Sequence, residues 1–251
     1  MRTVLSLFLL VLSCHLLHGQ ASIRDSAISL GLIDVSYRGL WPGSDMNVRF
    51  GYLSQVGLDL SYKFRNNFYF NAGAHVLFTD SVAYRDILAP ILTTGDLVVS
   101  DNGLLTSVRV IGNGFVVPFA VGRVFAFAPG PNPNSGLFVE VGGQFIQHKL
   151  SFNPREDDVQ ALTGAYAKGY DRLTNGWGLR QSLGYRYLSN RGDFNMVLAV
   201  DLSQHFTRSR RSIDFSTGLR DTQQRRDLLT GFRVSWTFPI YQRAPRSAYF
   251  Y

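Results

Sequence analysis

Residues 57–79 read GLDLSYKFRNNFYFNAGAHVLFT, and this stretch contains the pattern that decides the fold. In each half an apolar side chain occupies every second position, and polar or small residues occupy most of the positions between. A period of two indicates a β-strand with one apolar and one mixed face. The polar triplet Arg65-Asn66-Asn67 separates the two halves, so the stretch predicts a β-hairpin.

The same alternation recurs along most of the chain and predicts eight strands. Their approximate ranges are 27–37, 53–64, 68–79, 115–127, 136–149, 178–189, 194–206 and 228–239. Each is longer than the roughly five or six residues usual in soluble sheets. Each also reaches the ~9–11 residues that a tilted strand needs to cross the hydrocarbon of a bilayer. The predicted fold class is therefore all-β, an eight-stranded antiparallel up-and-down transmembrane β-barrel.

The predicted connections alternate in length. Three are short (65–67, 128–135 and 190–193) and four are long (38–52, 80–114, 150–177 and 207–227). Bacterial outer-membrane barrels have this asymmetry, with short periplasmic turns and long outer loops. The connection 80–114 also contains a strong turn signal, Asp101-Asn102-Gly103, between two apolar stretches. We expect a small hairpin above the membrane there; if it entered the membrane, the barrel would have ten strands.

The mixed face of the predicted strands carries full charges beside Gly, Ser and Asn. The charged residues are Asp59, Lys63, Glu140, Arg180, Arg186, Asp201 and Arg233. Only the apolar face can meet lipid, and an open sheet edge would leave backbone groups unpaired in hydrocarbon, so the sheet must close. An eight-stranded barrel is only wide enough for its own side chains. We therefore expect these residues to form an ion-pair network in a filled lumen with no open pore.

Composition excludes two classes of protein. Aromatic residues make up 14% of the chain and charged residues 17%, which is not the composition of a disordered protein. Beyond the N-terminus, no apolar run approaches the ~18–20 residues of a membrane-spanning helix. The net charge of +7 is carried almost wholly by arginine, because Lys63, Lys149 and Lys168 are the only lysines. Arginine suits phosphates and carboxylates, so this charge points to anionic lipid head groups or internal ion pairs as readily as to nucleic acid.

The N-terminal segment has the features of a secretory signal peptide, which we predict for residues 1–21. Arg2 precedes an apolar run, and Gly19 and Ala21 supply the small residues of a cleavage site. The only cysteine, Cys14, lies in this segment, so the mature chain is expected to have no disulfide. The sequence before Cys14 fits a lipoprotein cleavage box poorly, and lipidation of Cys14 is retained as an alternative.

Two prolines mark the end of the predicted barrel. Pro239 and Pro245 forbid a continued central strand. We therefore predict a barrel domain over 22–239 and a periplasmic tail over 240–251. The aromatic end of this tail is either an assembly signal, a docking segment or loosely ordered.

The last predicted strand contains Thr230-Gly231-Phe232-Arg233-Val234-Ser235-Trp236 and continues to Phe238. This pattern is similar to the final-strand assembly signal of the small OmpA/OmpX-like outer-membrane β-barrel family of Gram-negative bacteria. The signal peptide, the eight alternating strands and the unequal loops resemble the same family. The resemblance implies a protein of the cell outer membrane, in contact with its lipid. It also implies recognition by the outer-membrane insertion machinery through an assembly signal that comprises Gly231, Val234, Trp236 and Phe238.

Asp201, Ser203 and His205 share one face of a predicted strand and have the residue types of an activated nucleophile. Some outer-membrane barrels are lipid A acyl hydrolases or acyltransferases, so a lipid-modifying enzyme is one alternative function. However, residues two apart on a strand are separated by ~6.5–7 Å, whereas a catalytic hydrogen bond needs ~3 Å. A polar lumen face also produces such triplets by chance. We therefore predict that the protein is not an enzyme.

The remaining histidines and the short motifs predict no cofactor. His75 lies among lumen residues and is expected to be a hydrogen-bonded filler. His148 and His205 lie near outer strand ends, with the acidic residues 156–158 nearby in sequence. Two histidines without fixed spacing are weak support for a surface cation site. No phosphate-binding loop, dinucleotide fingerprint, paired-cysteine motif or HExxH motif occurs.

The predicted loop 207–227 is rich in arginine. If this loop is external, Arg208, Arg210 and Arg211 face the phosphates of lipopolysaccharide, to which bidentate guanidinium contacts are suited. Nucleic acid is a poor partner for a secreted barrel. The alternative is a solvated basic loop balanced by its own acids, which are Asp214, Asp221 and Asp227.

These patterns predict an integral outer-membrane protein with a structural, interaction or adhesion role through its extracellular loops. One alternative is the lipid A-modifying enzyme described above. Another is an accessory subunit of a secretion or envelope complex, docked through the loops or the tail. A soluble secreted β-sandwich is the least favoured hypothesis. It would require Phe119, Val141, Leu198 and Trp236 to meet in a dry centre while Glu140 and Arg233 contact water.

Overall fold

The computed structural model describes residues 23–83, 86–93, 95–126, 130–154, 159–191 and 193–240. The predicted signal peptide, the acidic residues 156–158 and the predicted tail beyond Ile240 lie outside these residues. Within the described ranges, ten strands are present. They are β1 (Leu30–Ser44), β2 (Leu53–Lys63), β3 (Phe68–Thr79), β4 (Val98–Val99), β5 (Leu105–Thr106), β6 (Val108–Phe125), β7 (Gly136–Pro154), β8 (Thr174–Leu188), β9 (Asn195–Ser209) and β10 (Gln224–Ile240).

Eight of these strands form one closed antiparallel barrel, in the order β1-β10-β9-β8-β7-β6-β3-β2. The last strand closes the ring on the first, with Val35 opposite Trp236. Strands β4 and β5 form a separate two-stranded sheet in the longest loop. The predicted eight-stranded up-and-down barrel is therefore confirmed, and the hairpin around Asp101 adds no strands to it.

The helices are short. They are the 3₁₀ segments Asp86–Ile91 and Gln160–Leu162 and the single α-helical turn Ala167–Tyr170. None of the helices in the described part of the chain is long and apolar enough to span a membrane.

Six of the eight barrel strands extend further toward the long loops than the sequence pattern predicts; β2 and β3 do not. Strand β1 ends at Ser44 instead of 37, and β6 begins at Val108 instead of 115. Backbone pairing continues there, because Ser44 lies opposite Asp227 and Val108 lies opposite Pro154. Pairing of the backbone does not require an alternating side-chain pattern once the strands reach beyond the apolar part of the barrel.

The two faces of the barrel wall differ sharply in exposure. Phe119 and Val141 are each 51% exposed, and Trp236 is 48% exposed on the outer face. Glu140 and Arg233 are only 2% and 3% exposed, because they point into the lumen. The apolar side chains therefore face outward and the ionic ones inward, which excludes the sandwich hypothesis.

The lumen at the long-loop end is filled by an apolar group that we call the mouth cluster. Its strand residues are Leu40, Leu53, Leu77, Val116, Ile146, Leu150 and Leu229. The loops contribute Met46, Phe50, Ile87, Leu88, Val98, Val159, Leu162 and Tyr170. The loops are thus anchored into the barrel by apolar packing.

The short-turn end is closed by the segment that precedes β1. Ile28 packs with Leu30, Leu32 and Leu188 inside this end. The amide of Asn134 holds the segment, because its Oδ1 accepts from the Ile28 N–H at 2.9 Å and its Nδ2 donates to backbone carbonyls at 2.9 and 3.1 Å.

Candidate functional site

The middle of the lumen contains three arginines and three carboxylates, which we call the central ion-pair cluster. Arg38 of β1 joins two of the acids: its Nη2 lies 3.1 Å from Asp59 Oδ2, and its Nε lies 2.9 Å from Asp201 Oδ2. Arg180 lies 2.8 Å from Glu140, and Arg233 lies 3.4 Å from Asp201. The formal charges of these six buried groups cancel, as a dry lumen requires.

His75 lies beside this cluster as a hydrogen-bonded residue. Its Nδ1 is 2.7 Å from the Gln55 amide nitrogen, and its Nε2 is 3.1 Å from Asp59 Oδ2. Two glycines make the space: a Cβ at Gly57 would lie 2.0 Å from the His75 ring, and one at Gly73 would lie 2.5 Å from the Asp59 carboxylate. The small residues of the mixed face therefore make room for the large charged side chains.

A second ion pair lies nearer the short turns. Arg186 Nη2 is 3.1 Å from Asp34 Oδ2, and the Thr237 hydroxyl donates to Asp34 Oδ1 at 2.5 Å. Asp34 and Arg38 were missed by the sequence analysis, because the first strand has the least regular apolar pattern. Their signal was the polar series Asp34, Ser36 and Arg38, which occupies every second position.

The prediction that Lys63 joins the ion-pair network is wrong. Its Nζ donates to the carbonyl of Ile28 at 2.9 Å, to that of Phe64 at 3.2 Å and to Asn67 Oδ1 at 2.7 Å. Lys63 is the last residue of β2, so its amine reaches the segment that closes the short-turn end and lies away from the central acids. Its role is to hold this end of the barrel together.

The three residues considered for catalysis all face the lumen and are buried. Asp201 binds Arg38 and Arg233, and His205 Nε2 lies 2.5 Å from the Gln144 amide nitrogen. The acid and the imidazole therefore have different partners. The lumen wall also separates both groups from the lipid that an acyl-transferring enzyme would use.

His148 and His205 are buried inside the long-loop end, so they do not form a surface cation site as considered above. His148 Nε2 is 3.3 Å from Asp227 Oδ2, and Arg49 Nη2 is 2.9 Å from Asp227 Oδ1. Thr207 donates its hydroxyl to the same carboxylate at 2.7 Å. Burial lowers the pKa of the Arg49 guanidinium, and the Asp227 carboxylate opposes that shift. Among the described residues, no group of three His, Cys, Asp or Glu side chains could hold a metal ion.

The three loop arginines differ in their partners. Arg208 donates to the Gln224 amide oxygen at 2.7 Å, and Arg210 donates to the Asn175 amide oxygen at 2.5 Å. Arg211 instead forms an ion pair with Asp171, and its Nε donates to Asp171 Oδ1 at 2.6 Å. Arg208 and Arg210 are exposed and bind neutral amides, so their positive charge is not compensated by these partners.

A further arginine of the predicted loop 207–227 lies at this edge. Arg226 is exposed and donates to the Gln204 amide oxygen at 3.0 Å. It lies on β10, directly opposite Phe206 of β9. The sequence pattern placed this residue in the predicted loop 207–227, so the outward direction of its side chain on a strand was not predicted.

The residues of the predicted assembly signal lie on β10, where the barrel closes. Val234, Trp236 and Phe238 are about half exposed on the outer face, and Trp236 packs edge-on against Phe194 at a ring distance of 5.2 Å. Gly231 faces inward, and a Cβ there would lie 2.0 Å from the Gly39 carbonyl oxygen of β1. Glycine therefore permits the close approach of the last and first strands at this position.

No protein-family model matches the chain, and no curated protein matches it. Among solved structures, the chain is similar to the attachment invasion locus protein Ail of Yersinia pestis in complex with the heparin analogue sucrose octasulfate. That alignment covers 84% of this chain and 99% of Ail, with 12% identity and a TM-score of 0.39. The chain is also similar to Neisserial surface protein A, with 83% and 96% coverage, 8% identity and a TM-score of 0.38. The strand pairing of the chain itself shows the barrel.

Proposed function

We propose that the protein is an integral β-barrel of the bacterial outer membrane that acts as a structural or interaction protein through its long loops. The observation that carries this proposal is the apolar outer face of a closed barrel with a charged interior. In water, a protein would bury such a face, because large exposed apolar surfaces mark contact with lipid or another protein. The apolar face here surrounds the barrel, so a lipid bilayer is the environment that fits it.

The apolar face extends over all eight barrel strands. Its exposed members include Val35, Tyr37, Leu58, Leu60, Phe70, Val76, Phe119, Val121, Val139, Val141, Leu179, Leu183, Leu198, Val200, Phe232 and Val234. At about 25 cal/mol for each Å² of apolar surface removed from water, contact with acyl chains stabilises this face strongly.

Aromatic side chains flank the apolar face at both ends. At the long-loop end, Trp41 and Tyr52 are exposed and their rings lie 5.4 Å apart. At the short-turn end, Tyr62 and Phe64 are exposed and their rings lie 5.0 Å apart. Two aromatic girdles are typical of outer-membrane barrels and lie at the two membrane interfaces. They support a position of the membrane between these two levels.

The exposed arginines lie just outside the girdle at the long-loop end. Arg208 follows the exposed Phe206 by two residues, so both side chains leave the same face of β9. Arg226 lies opposite Phe206 on β10. These positions suit contact with the phosphates of lipopolysaccharide, which lie at this level if the long loops face outward. Arg211 is a weaker candidate, because Asp171 already neutralises it.

The filled lumen supports an interaction role over transport. The short-turn end, the middle and the mouth are occupied by the Ile28 group, the central ion-pair cluster and the mouth cluster. An eight-stranded barrel leaves no channel once side chains fill it. The surface that remains available to partners is that of the four long loops.

Cysteine labelling in intact cells tests both the membrane position and the orientation. In a Cys14→Ser background, Thr222→Cys places a thiol on a long loop, and Arg65→Cys places one on a short turn; both positions are exposed. We expect a membrane-impermeant maleimide to label Thr222→Cys in intact cells. It should label Arg65→Cys only after the outer membrane is permeabilised. Labelling in the reverse order, or recovery of the folded protein in the soluble fraction, would contradict the proposal.

A further inference from the structure

A groove of about 460 Å³ lies between the first and last long loops of the barrel, with Arg172 of the loop between β7 and β8 also in its lining. The loop between β1 and β2 contributes Asp45, Val48 and Arg49, and the loop between β9 and β10 contributes Leu219 and Arg220 among others. The groove lies beyond the apolar outer face of the barrel, at the end that the long loops cover. No role described above uses it.

Two aliphatic side chains in the groove are unusually exposed. Val48 is 65% exposed and Leu219 is 71% exposed, although neither belongs to the apolar outer face of the barrel. Leu219 is held in place, because the Asp214 N–H donates to its carbonyl at 2.9 Å across a turn at Gly218. Gly218 has a φ of +70°, which glycine adopts without strain. The apolar surface is therefore presented by a defined turn.

The acidic groups of the groove already have partners. Asp214 pairs with Arg172 at 3.1 Å, and Asp221 pairs with Arg225. Asp45 accepts from the backbone N–H of Arg226 at 2.7 Å. These contacts fix the walls of the groove and neutralise much of its negative charge.

Arg220 differs from the other arginines of the groove. Arg49, Arg172 and Arg225 each form an ion pair, whereas Arg220 is exposed and has no hydrogen-bond or ionic partner among the described residues. Its neighbour in sequence is the exposed Leu219. An unpaired guanidinium beside exposed aliphatic side chains matches a ligand that combines a carboxylate with an aliphatic group.

We propose that this groove binds a polypeptide segment that presents a carboxylate next to a branched aliphatic side chain. The carboxylate would meet Arg220, and the aliphatic side chain would pack on Val48 and Leu219. A polyanion fits less well, because the other groove arginines, Arg49, Arg172 and Arg225, are already paired with acids and the aliphatic side chains would be left unused. The access of such a partner from outside the cell rests on the proposed function.

The test uses N-acetyl-leucine as a probe, because it contains both chemical groups. The isotope-labelled, folded barrel in detergent micelles is titrated with this probe, and the NMR chemical shifts of the protein are followed. N-acetyl-leucinamide lacks the carboxylate and N-acetylglycine lacks the aliphatic group, so they serve as matched probes. We expect saturable shifts at Leu219 and Arg220 with a Kd on the order of 1 mM, as ordinary ligand efficiency gives for a molecule of this size. Both matched probes should bind at least about 5-fold more weakly.

Variants identify the residues responsible. Arg220→Gln and Leu219→Ser should each weaken N-acetyl-leucine binding about 5-fold. Arg65→Gln removes an exposed arginine on the short turn between β2 and β3, at the opposite end of the barrel from the groove, and should leave the affinity unchanged. Heat-modifiable gel mobility checks that every variant remains a closed barrel.

Three results would overturn the proposal. One is the lack of saturable shifts up to about 20 mM probe. A second is equal binding of the amide and the acid. A third is binding of a highly sulfated oligosaccharide that blocks the probe and depends on Arg220 but not on Leu219. That result would assign the groove to polyanions. The binding assay uses purified protein, so its failure is distinguishable from failure of the membrane orientation, which cysteine labelling tests separately.

Discussion

The central ion-pair cluster and the mouth cluster fill different levels of the same lumen with opposite chemistry, although the buried Arg49–Asp227 pair lies near the mouth cluster. The central ion-pair cluster uses buried Arg38, Arg180 and Arg233 against three carboxylates, with glycines making the space. The mouth cluster uses apolar side chains, and the loops supply eight of its fifteen. The barrel wall requires a filled interior but not a polar one. The difference teaches that the middle depends on charge balance, whereas the mouth depends on packing and couples the loops to the barrel.

Removal of one charge from the middle should have the largest effect. Arg38→Ala leaves Asp59 and Asp201 without their shared guanidinium in a buried site, and breaking such a pair costs about 3–5 kcal/mol. We expect the free energy of unfolding to fall by this amount in denaturant titrations in micelles. Arg208→Ala, an exposed arginine, serves as the control and should change stability little.

A second substitution separates charge balance from lost packing. Asp59→Asn in the Arg38→Ala chain removes the excess negative charge, because Asp201 keeps Arg233 and Glu140 keeps Arg180, so it should recover part of the lost stability. If the double variant is no more stable than Arg38→Ala, the loss is due to packing and the contrast between the two regions fails.

Truncation in the mouth should have a somewhat smaller effect on unfolding but a clear effect on the loops. Phe50 is 2% exposed and lies edge-on to His148 at a ring distance of 5.4 Å. Phe50→Ala should lower the free energy of unfolding by about 3 kcal/mol through lost burial and a cavity. It should also speed proteolytic cleavage of the long loops. Unchanged cleavage rates would show that the loops are held independently of the mouth cluster.

The smallest effect is expected for an exposed ion pair. Asp80 and Arg109 lie 2.9 Å apart, but their side chains are 71% and 57% exposed. Asp80→Asn should change the free energy of unfolding by less than about 0.5 kcal/mol, because water and salt screen the pair. A loss comparable to that of Arg38→Ala would mean that burial does not determine the strength of these pairs.

The same contrast explains what the sequence could predict. In the middle, inward and outward residues differ in chemistry, so period two placed Glu140, Arg180 and Arg233 in the lumen. At the mouth, inward Leu77 resembles the outward Val76 and Phe78 beside it, so the chemistry of these residues did not distinguish the two faces. The contacts between Phe50 and the distant strands also depend on loop conformation, which local periodicity does not encode.

For the candidate binding residues too, the sequence pattern did not predict contacts between distant parts of the chain. The sequence identified the arginine-rich loop but not which arginines are neutralised, because Asp171 and Arg211 are 40 residues apart in sequence. Arg220 and Leu219 were likewise unremarkable until the fold placed them beside Val48 of another loop.

The barrel is closed by pairing between its first and last strands, β1 and β10, from Ser44 opposite Asp227 to Gly31 opposite Ile240. A nascent polypeptide that stops short of β10 therefore has two unsatisfied edges, one on each terminal strand of the partial sheet. Such an intermediate cannot enter hydrocarbon without exposing bare amides and carbonyls. Biogenesis must then hold nearly the whole chain in a protected, unsealed form until its final seventeen-residue strand arrives.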